Sequence, residues 1–269
     1  MLVHLSTLTV LFSLATSAHA GLNRSPNVKA LSARTFKKAV QGSPKLTVAA
    51  FTAPWCGYCK QLAPDLDKVA DSLKGLVNVV NVDCDEDQNK PLCGEYGVQG
   101  FPTLKIFPGG SAPVRNYDGP RNAKDIISHA TSSMPTFVKR AATAQDLDEL
   151  RTKASPRTAA SKPVSLLFTS AGKVTPLYKA LSSDFFRSID FYAARDVKVG
   201  QDAMDKFGVD KVPTLLVLTG PDQVEKYEGL LKYDKLHDFL SRFAAPAPGS
   251  ESKGGKAPGA KGKTSHSEL

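Results

Sequence analysis

Apolar positions along this chain follow two periods that take turns. Residues 46–51 form a short apolar run rich in strand-forming residues, which predicts a strand buried on both faces. Over residues 57–73 the apolar positions fall at Leu62, Leu66, Val69, Ala70 and Leu73, the spacing of one helical face. Residues 77–82 predict another buried strand and residues 89–96 a short helix. Residues 103–107 and 114–117 predict a hairpin across Pro108-Gly109-Gly110, which is turn chemistry. A helix over 123–132 closes this unit.

The same order returns more weakly downstream. Strands are predicted at 136–139, 164–168 and 189–193, helices at 176–186 and 203–207, a hairpin from 214–218 and 224–227, and a final amphipathic helix at 233–243. The parallel is sharpest where Tyr96-Gly97-Val98-Gln99-Gly100-Phe101-Pro102-Thr103-Leu104 matches Phe207-Gly208-Val209-Asp210-Lys211-Val212-Pro213-Thr214-Leu215. The chain therefore reads as two tandem copies of one α/β unit, at 21–134 and 135–245, with a boundary near Met134-Pro135. Residues 246–269 are dominated by Pro, Gly, Ala, Ser and Lys and lack the apolar surface to offset ordering entropy, so a flexible tail is expected.

The N-terminus reads as a signal peptide over residues 1–20. Its core, residues 5–16, is largely apolar, and Ala18-His19-Ala20 supplies small residues around a cleavage site. The run is too short for a membrane anchor, and no internal stretch approaches the ~20 apolar residues that span a bilayer. Export implies an oxidising compartment where disulfides persist. Asn23-Arg24-Ser25 is a glycosylation sequon. The formal charge of +9 invites a nucleic-acid partner. However, the basic residues are scattered and their densest run is in the tail, so a solvated surface is the simpler reading and no nucleic acid is expected.

Chemistry concentrates in Trp55-Cys56-Gly57-Tyr58-Cys59-Lys60. A Cys-x-x-Cys that opens a helix directly after a buried strand is a redox arrangement. Helix N-terminal amides and the macrodipole favour a thiolate, so Cys56 is expected to have a lowered pKa and to act as nucleophile. Cys59, one turn on, can resolve a mixed disulfide by intramolecular attack. Three other readings stay open. A tetrahedral zinc site needs four ligands, and Cys84 and Cys93 are not spaced as a second Cys-x-x-Cys. An inert disulfide would be odd in so tight a loop. A cysteine hydrolase needs an activating histidine, and outside the leader and tail only His129 and His237 remain.

The run Phe51-Thr52-Ala53-Pro54-Trp55-Cys56-Gly57-Tyr58-Cys59-Lys60, with Pro64 and then Gly100-Phe101-Pro102-Thr103, resembles the catalytic domain of the protein disulfide isomerase family over residues 26–134. The resemblance implies an α/β architecture of two tandem thioredoxin-like domains, each a central mixed sheet flanked by helices. It implies a cis Pro102 facing the cysteines, beside an exposed backbone edge where an extended substrate can pair, with Trp55 and Phe101 in the substrate-binding surface. Gly57 and Tyr58 would tune the pair. Tyr117-Asp118-Gly119-Pro120-Arg121 resembles the family segment whose arginine approaches the resolving cysteine. The second unit resembles the family's redox-inactive domains, with Thr169-Ser170-Ala171-Gly172 standing where cysteines would be.

Three departures bear on mechanism. Tyr58 replaces the histidine usual between the cysteines, and a phenol supplies no positive charge, so a more reducing site is expected. Ala50 and Asn81 occupy the places of a buried carboxylate and its lysine partner; losing both strands no charge, although proton transfer at Cys59 should slow. Cys84 ends a strand and Cys93 lies on the next helix, which favours a structural disulfide over two buried free thiols. The last four residues, His266-Ser267-Glu268-Leu269, resemble an endoplasmic-reticulum retrieval signal, with Ser267 in place of aspartate.

These readings converge on a disulfide isomerase of the endoplasmic-reticulum lumen. Its expected partners are unfolded or partly folded secretory proteins, glutathione or a thiol oxidase, and the retrieval receptor. Neither metal nor organic cofactor is implied, since the dithiol carries the electrons. A chaperone or escort with secondary redox activity and a dedicated disulfide reductase remain as alternatives.

Overall fold

The structure, a computed structural model, describes residues 22–110, 112–154 and 162–244. The predicted signal peptide and the tail with its retrieval-like end lie outside those residues. The chain divides into two compact units. The first runs to Val138 and takes in Ala171–Phe186 and Leu231–Asp234, and the second holds the remainder.

The first sheet uses β1 (Val28–Ala30), β2 (Thr47–Thr52), β3 (Asn78–Asp83), β4 (Thr103–Phe107) and β5 (Arg115–Asn116), in the order β1-β3-β2-β4-β5. Helices α1 (Ala33–Phe36), α2 (Gly57–Ser72), α3 (Lys90–Glu95) and α4 (Ala123–Ser133) are interspersed. Strand β2 is parallel to β3, with Ala50 opposite Asn81, and antiparallel to β4, with Ala50 opposite Leu104. All six residues of β2 are buried because both faces are covered. Val48 and Ala50 face a cluster with Leu62, Leu66 and Val69 of α2 and Ile126 of α4. Ala49 and Phe51 face the opposite way, toward Phe36, Leu92 and Cys93. Phe51 is fully buried, worth about 1.5–3 kcal/mol for such a side chain. The β4–β5 hairpin turns through Gly109 and Gly110, both at positive φ. A Cβ on Gly109 would lie 2.3 Å from the Pro44 carbonyl oxygen, so the turn requires glycine there.

The second sheet is built from β6 (Val138–Ala141), β7 (Val164–Thr169), β8 (Asp190–Arg195), β9 (Thr214–Leu218) and β10 (Val224–Lys226), ordered β10-β9-β7-β8-β6. Its central strand is parallel to β8 and antiparallel to β9, as β2 is to β3 and β4. The same topology has therefore been built twice. Helices here are α5 (Ala144–Lys153), α6 (Pro176–Asp184), α7 (Asp196–Val199), α8 (Gln201–Asp205) and α9 (Tyr233–Ser241).

Several elements differ from the sequence reading. Strand β1 has three residues, too few to show a period. Helix α5 buries only Leu147 and Leu150, and its start is a capping box between Thr143 and Asp146. Strand β6 begins two residues later than predicted, and the helix expected at 203–207 is α8.

Candidate functional site

The site forms where β2 hands over to α2. The chain leaves the sheet at Thr52, turns so that the Cys56 amide donates to the Ala53 carbonyl at 3.1 Å, and enters α2 at Gly57. Cys56 is the N-cap of that helix, with φ −76° and ψ 116°. Its sulfur takes the role a serine or aspartate oxygen usually fills at this position, accepting from the Cys59 amide at 3.2 Å. Both thiols are free and buried, with Cys59 only 1% exposed.

The two sulfurs are electrostatically unlike. Burial alone would push Cys56 up. Hydrogen bonds from the Cys59 thiol and from the Cys59 and Tyr58 amides, with the charge of Arg121, outweigh burial and hold Cys56 below the ordinary 9.0. For Cys59, burial foremost and then its hydrogen bond to Cys56 push the thiol up to about 12, with Arg121 pulling weakly the other way. One thiol is therefore prepared to be a thiolate while its neighbour keeps its proton.

Around the pair lies an apolar rim. Ala53, Cys56 and Cys59 form a small cluster against which Phe101 and Leu22 pack. Trp55 is 65% exposed, meets the Phe101 ring edge-on at 5.8 Å, and donates its indole N–H to Asp85 at 3.0 Å. Tyr58 is 70% exposed. A Cβ at Gly57 would meet nothing within 4 Å, so crowding does not explain that glycine. The Phe101–Pro102 bond is cis, as is Val212–Pro213 at the matching place in the second repeat.

Arg121 lines a cleft with Pro102, Thr103 and Asp118. The segment before it is built to deliver it there. The Tyr117 hydroxyl donates to the Pro120 carbonyl at 2.8 Å, and the Tyr117 ring fills the space a Cβ on Gly119 would need. The second repeat copies this device with Tyr227, whose hydroxyl donates to the Leu230 carbonyl at 2.9 Å beside Gly229. It then places Leu231 where the first has Arg121.

The second repeat differs from the sequence reading in one register. Helix α6 is capped by Thr175, whose hydroxyl accepts from the Tyr178 amide as Cys56 accepts from Cys59. Thr175 and Tyr178, rather than residues 169–172, therefore stand where the cysteines would be. The loop after β7 is two residues longer than the one after β2, a difference an ungapped reading cannot see.

Cys84 and Cys93 are joined in a disulfide with Cα atoms 6.1 Å apart. Ala50 is fully buried, and Asn81 opposite it accepts from the Thr52 hydroxyl at 2.8 Å, so that place in the sheet holds no ionisable group. His129 packs its ring against Tyr117 at 5.1 Å. Among the described residues no group of three or more His, Cys, Asp or Glu is arranged to hold a metal ion, and no helix is long and apolar enough to cross a membrane. The sequence reading missed Leu22 and Asp85. Neither belongs to a motif, and only the fold brings them to the site.

Residues 27–132 match the Thioredoxin domain family. A Dictyostelium discoideum protein bearing the protein disulfide-isomerase name is 37% identical over 225 residues, covering 81% of this chain and 53% of the relative. A protein disulfide-isomerase of Saccharomyces cerevisiae is 32% identical over 192 residues, covering 65% of this chain and 58% of the relative. A thioredoxin domain-containing protein of Schizosaccharomyces pombe, named as mitochondrial, is 37% identical over 195 residues, covering 69% and 52%. The chain thus spans between about half and three-fifths of the length of these relatives. Among solved structures, a crystal form of ERdj5 matches with a TM-score of 0.50 at 19% identity, covering 81% of this chain and 30% of that one, a likeness of fold.

Proposed function

Because the chain belongs to the protein disulfide isomerase family, we propose that it is a thiol–disulfide oxidoreductase that forms, reduces and rearranges disulfides in folding secretory proteins. The observation that carries this reading is the free Cys56 thiol capping α2 and accepting from the amide of free Cys59, one turn on, at 3.2 Å. In this arrangement the pKa of Cys56 is lowered and that of Cys59 raised to about 12.

The chemistry follows from that split. The Cys56 thiolate attacks one sulfur of a client disulfide; the new Cys56–client bond forms, and the other client sulfur leaves as thiolate and takes a proton. Cys59 then gives up its proton and attacks the Cys56 sulfur, expelling the client as a second thiolate. The client is reduced by two electrons and the enzyme pair oxidised by two. The reverse sequence installs a disulfide. Attack of a different client thiolate on the client sulfur of the mixed disulfide, before Cys59 acts, forms a rearranged client disulfide and expels the Cys56 thiolate. The suppressed acidity of Cys59 slows its attack, and the acidity of Cys56 makes it a good leaving group, so a client thiol can compete with Cys59 for the mixed disulfide.

Trp55 and Phe101 offer the apolar rim to an unfolded client, and the backbone at cis-Pro102 offers it a strand partner. Arg121 favours the thiolate form of both cysteines. The second unit repeats the fold without the chemistry, since Thr175 and Tyr178 carry hydroxyls that form no disulfide and Leu231 carries no charge. Its role is then client or partner binding. The signal peptide and the His-Ser-Glu-Leu ending support residence in the endoplasmic-reticulum lumen, where glutathione or a thiol oxidase would exchange electrons with the pair and a retrieval receptor would return escaped chains. The mitochondrial name of one relative sets the contrary expectation.

Refolding of a scrambled-disulfide client tests the proposal. The wild type should restore client activity, whereas Cys56→Ser should not. Equal recovery with Cys56→Ser would instead make the protein a chaperone whose cysteines are secondary. For location, deleting residues 266–269 should cause secretion, and unchanged retention would refute the retrieval reading.

A further inference from the structure

Leu22 packs on the cysteine cluster without belonging to any motif. The residues just after it are tied to helix α2. The Asn23 side-chain amide donates to the Ala63 carbonyl at 3.2 Å and to Asp67 Oδ1 at 3.1 Å, and the Arg24 amide donates to Asp67 Oδ2 at 3.0 Å. The Ser25 hydroxyl and the Asn27 side-chain amide both donate to Asp71 Oδ1, the latter at 2.7 Å. Those hydrogen bonds hold the Asp71 carboxyl below its ordinary value. Asp67 and Asp71 stand four residues apart on α2 and so present adjacent carboxylates along one helix face. Residues 22–27 run along that face, and the end of the run nearest the helix N-terminus is Leu22.

The pair is thus bordered by two partly buried apolar side chains, Phe101 from beside the cis-proline and Leu22 from this segment. Phe101 belongs to the substrate rim. Leu22 also lines hollows with Lys60 and with Ala63 and Pro64, beside the turn of α2 that carries Cys59.

We propose that residues 22–27 are a clasp, fastened to Asp67 and Asp71, that holds Leu22 against the cysteine pair and keeps water from Cys59, so that the clasp sets how fast the resolving thiol acts. This rests on the proposed function only in taking Cys59 as the resolving cysteine. Unfastening the clasp lets water solvate the Cys59 thiolate. The thiol then ionises more readily, attacks the Cys56 sulfur sooner and shortens the time a client stays bound. Leu22 and the two aspartates are positioning residues in this account, since they act through Cys59.

The test uses the full chain carrying Cys56→Ser, with Cys84–Cys93 left oxidised, so that Cys59 is the free thiol. Its alkylation by iodoacetamide is followed by mass spectrometry from pH 7 to 10. Below the thiol pKa the rate follows the thiolate fraction. Leu22→Ala should therefore raise the rate at pH 8 at least about threefold, equivalent to roughly half a pKa unit. Leu22→Met should return it to the reference. The double variant Asp67→Ala and Asp71→Ala, which leaves Leu22 in place but unfastens it, should raise the rate in the same direction, and alanine on that face keeps the helix sound. Unchanged rates in both Leu22→Ala and the double variant would overturn the proposal, and so would a rise that Leu22→Met fails to reverse. The rate is read without turnover. A pair that does not cycle with glutathione would refute the proposed function, whereas a cycling pair with no rate difference would refute the clasp alone.

Discussion

Replacing Cys84 and Cys93 together by alanine should destabilise the first domain by an amount that can be worked out in advance. The disulfide closes a loop with a sequence separation of 9. Loop-closure entropy for that length gives ~2.6 kcal/mol at 25 °C. Both sulfurs are buried, with 5% and 6% of each residue exposed, and removing them leaves small voids that add up to about 1 kcal/mol. Trp55 is the chain's single tryptophan and sits in this domain, so its fluorescence reports this unit in the intact protein. The comparison is best made with Cys56 and Cys59 both changed to serine, leaving one disulfide in play. With a urea m-value of about 2 kcal/mol per molar, the midpoint should fall by roughly 1.3–1.8 M. The native fluorescence should change as well, because the disulfide anchors Cys84 next to Asp85, the acceptor of the Trp55 indole N–H. A midpoint shift below about 0.5 M would refute the view that this loop is a principal brace of the domain.

Three more perturbations test other parts of the structure. Arg121→Ala removes a charge that favours both thiolates, so alkylation of Cys56 at pH 6 and resolution of its mixed disulfide should both slow; the arginine is exposed, so the effect should stay within about fivefold. Ala50→Glu should speed resolution by restoring the carboxylate that the family resemblance links to proton transfer at the resolving cysteine. Its cost should exceed the ~1–3 kcal/mol of overpacking, because the new carboxylate is fully buried opposite Asn81 without a lysine partner. A folded variant that is no faster would contradict the idea that the missing carboxylate limits the rate. Reduced protein should lose stability as pH rises from 9.0 toward about 12, because in that window folded Cys59 keeps a proton that the unfolded chain has released. Urea midpoints measured across the window should decline for the wild type and less for Cys59→Ala.

Much of the fold could be read from the chain because both sheets are covered on two faces. Buried strands such as 47–52, 103–107 and 214–218 announce themselves as apolar runs, and α2 announces itself by its 3.6-residue stripe. The elements that escaped lack such a signal. Helix α5 has two buried leucines and owes its start to the Thr143–Asp146 box, while β1 is three residues held by pairing with β3. The Cys-x-x-Cys motif was legible because Cys56 and Cys59 are local to one turn, and Tyr117 through Arg121 was legible as a family segment. Leu22 and Asp85 were not, since each reaches the site only through tertiary contacts with α2 and with Trp55. An ungapped reading puts residues 169–172 at the cysteine positions in place of Thr175 and Tyr178, because the longer loop between β7 and α6 changes the register of the repeat. Two extra loop residues move the cap without altering the composition that surrounds it.

The proposed function requires Cys56 and Cys59 to be a working redox couple. A glutathione titration of the purified full-length protein, read by thiol alkylation and mass spectrometry, tests it most directly. The expected result is a reversible two-electron transition of this pair with a potential below about −180 mV, because Tyr58 contributes no positive charge to the Cys56 thiolate. A pair that stays locked in one state throughout the accessible range would contradict it.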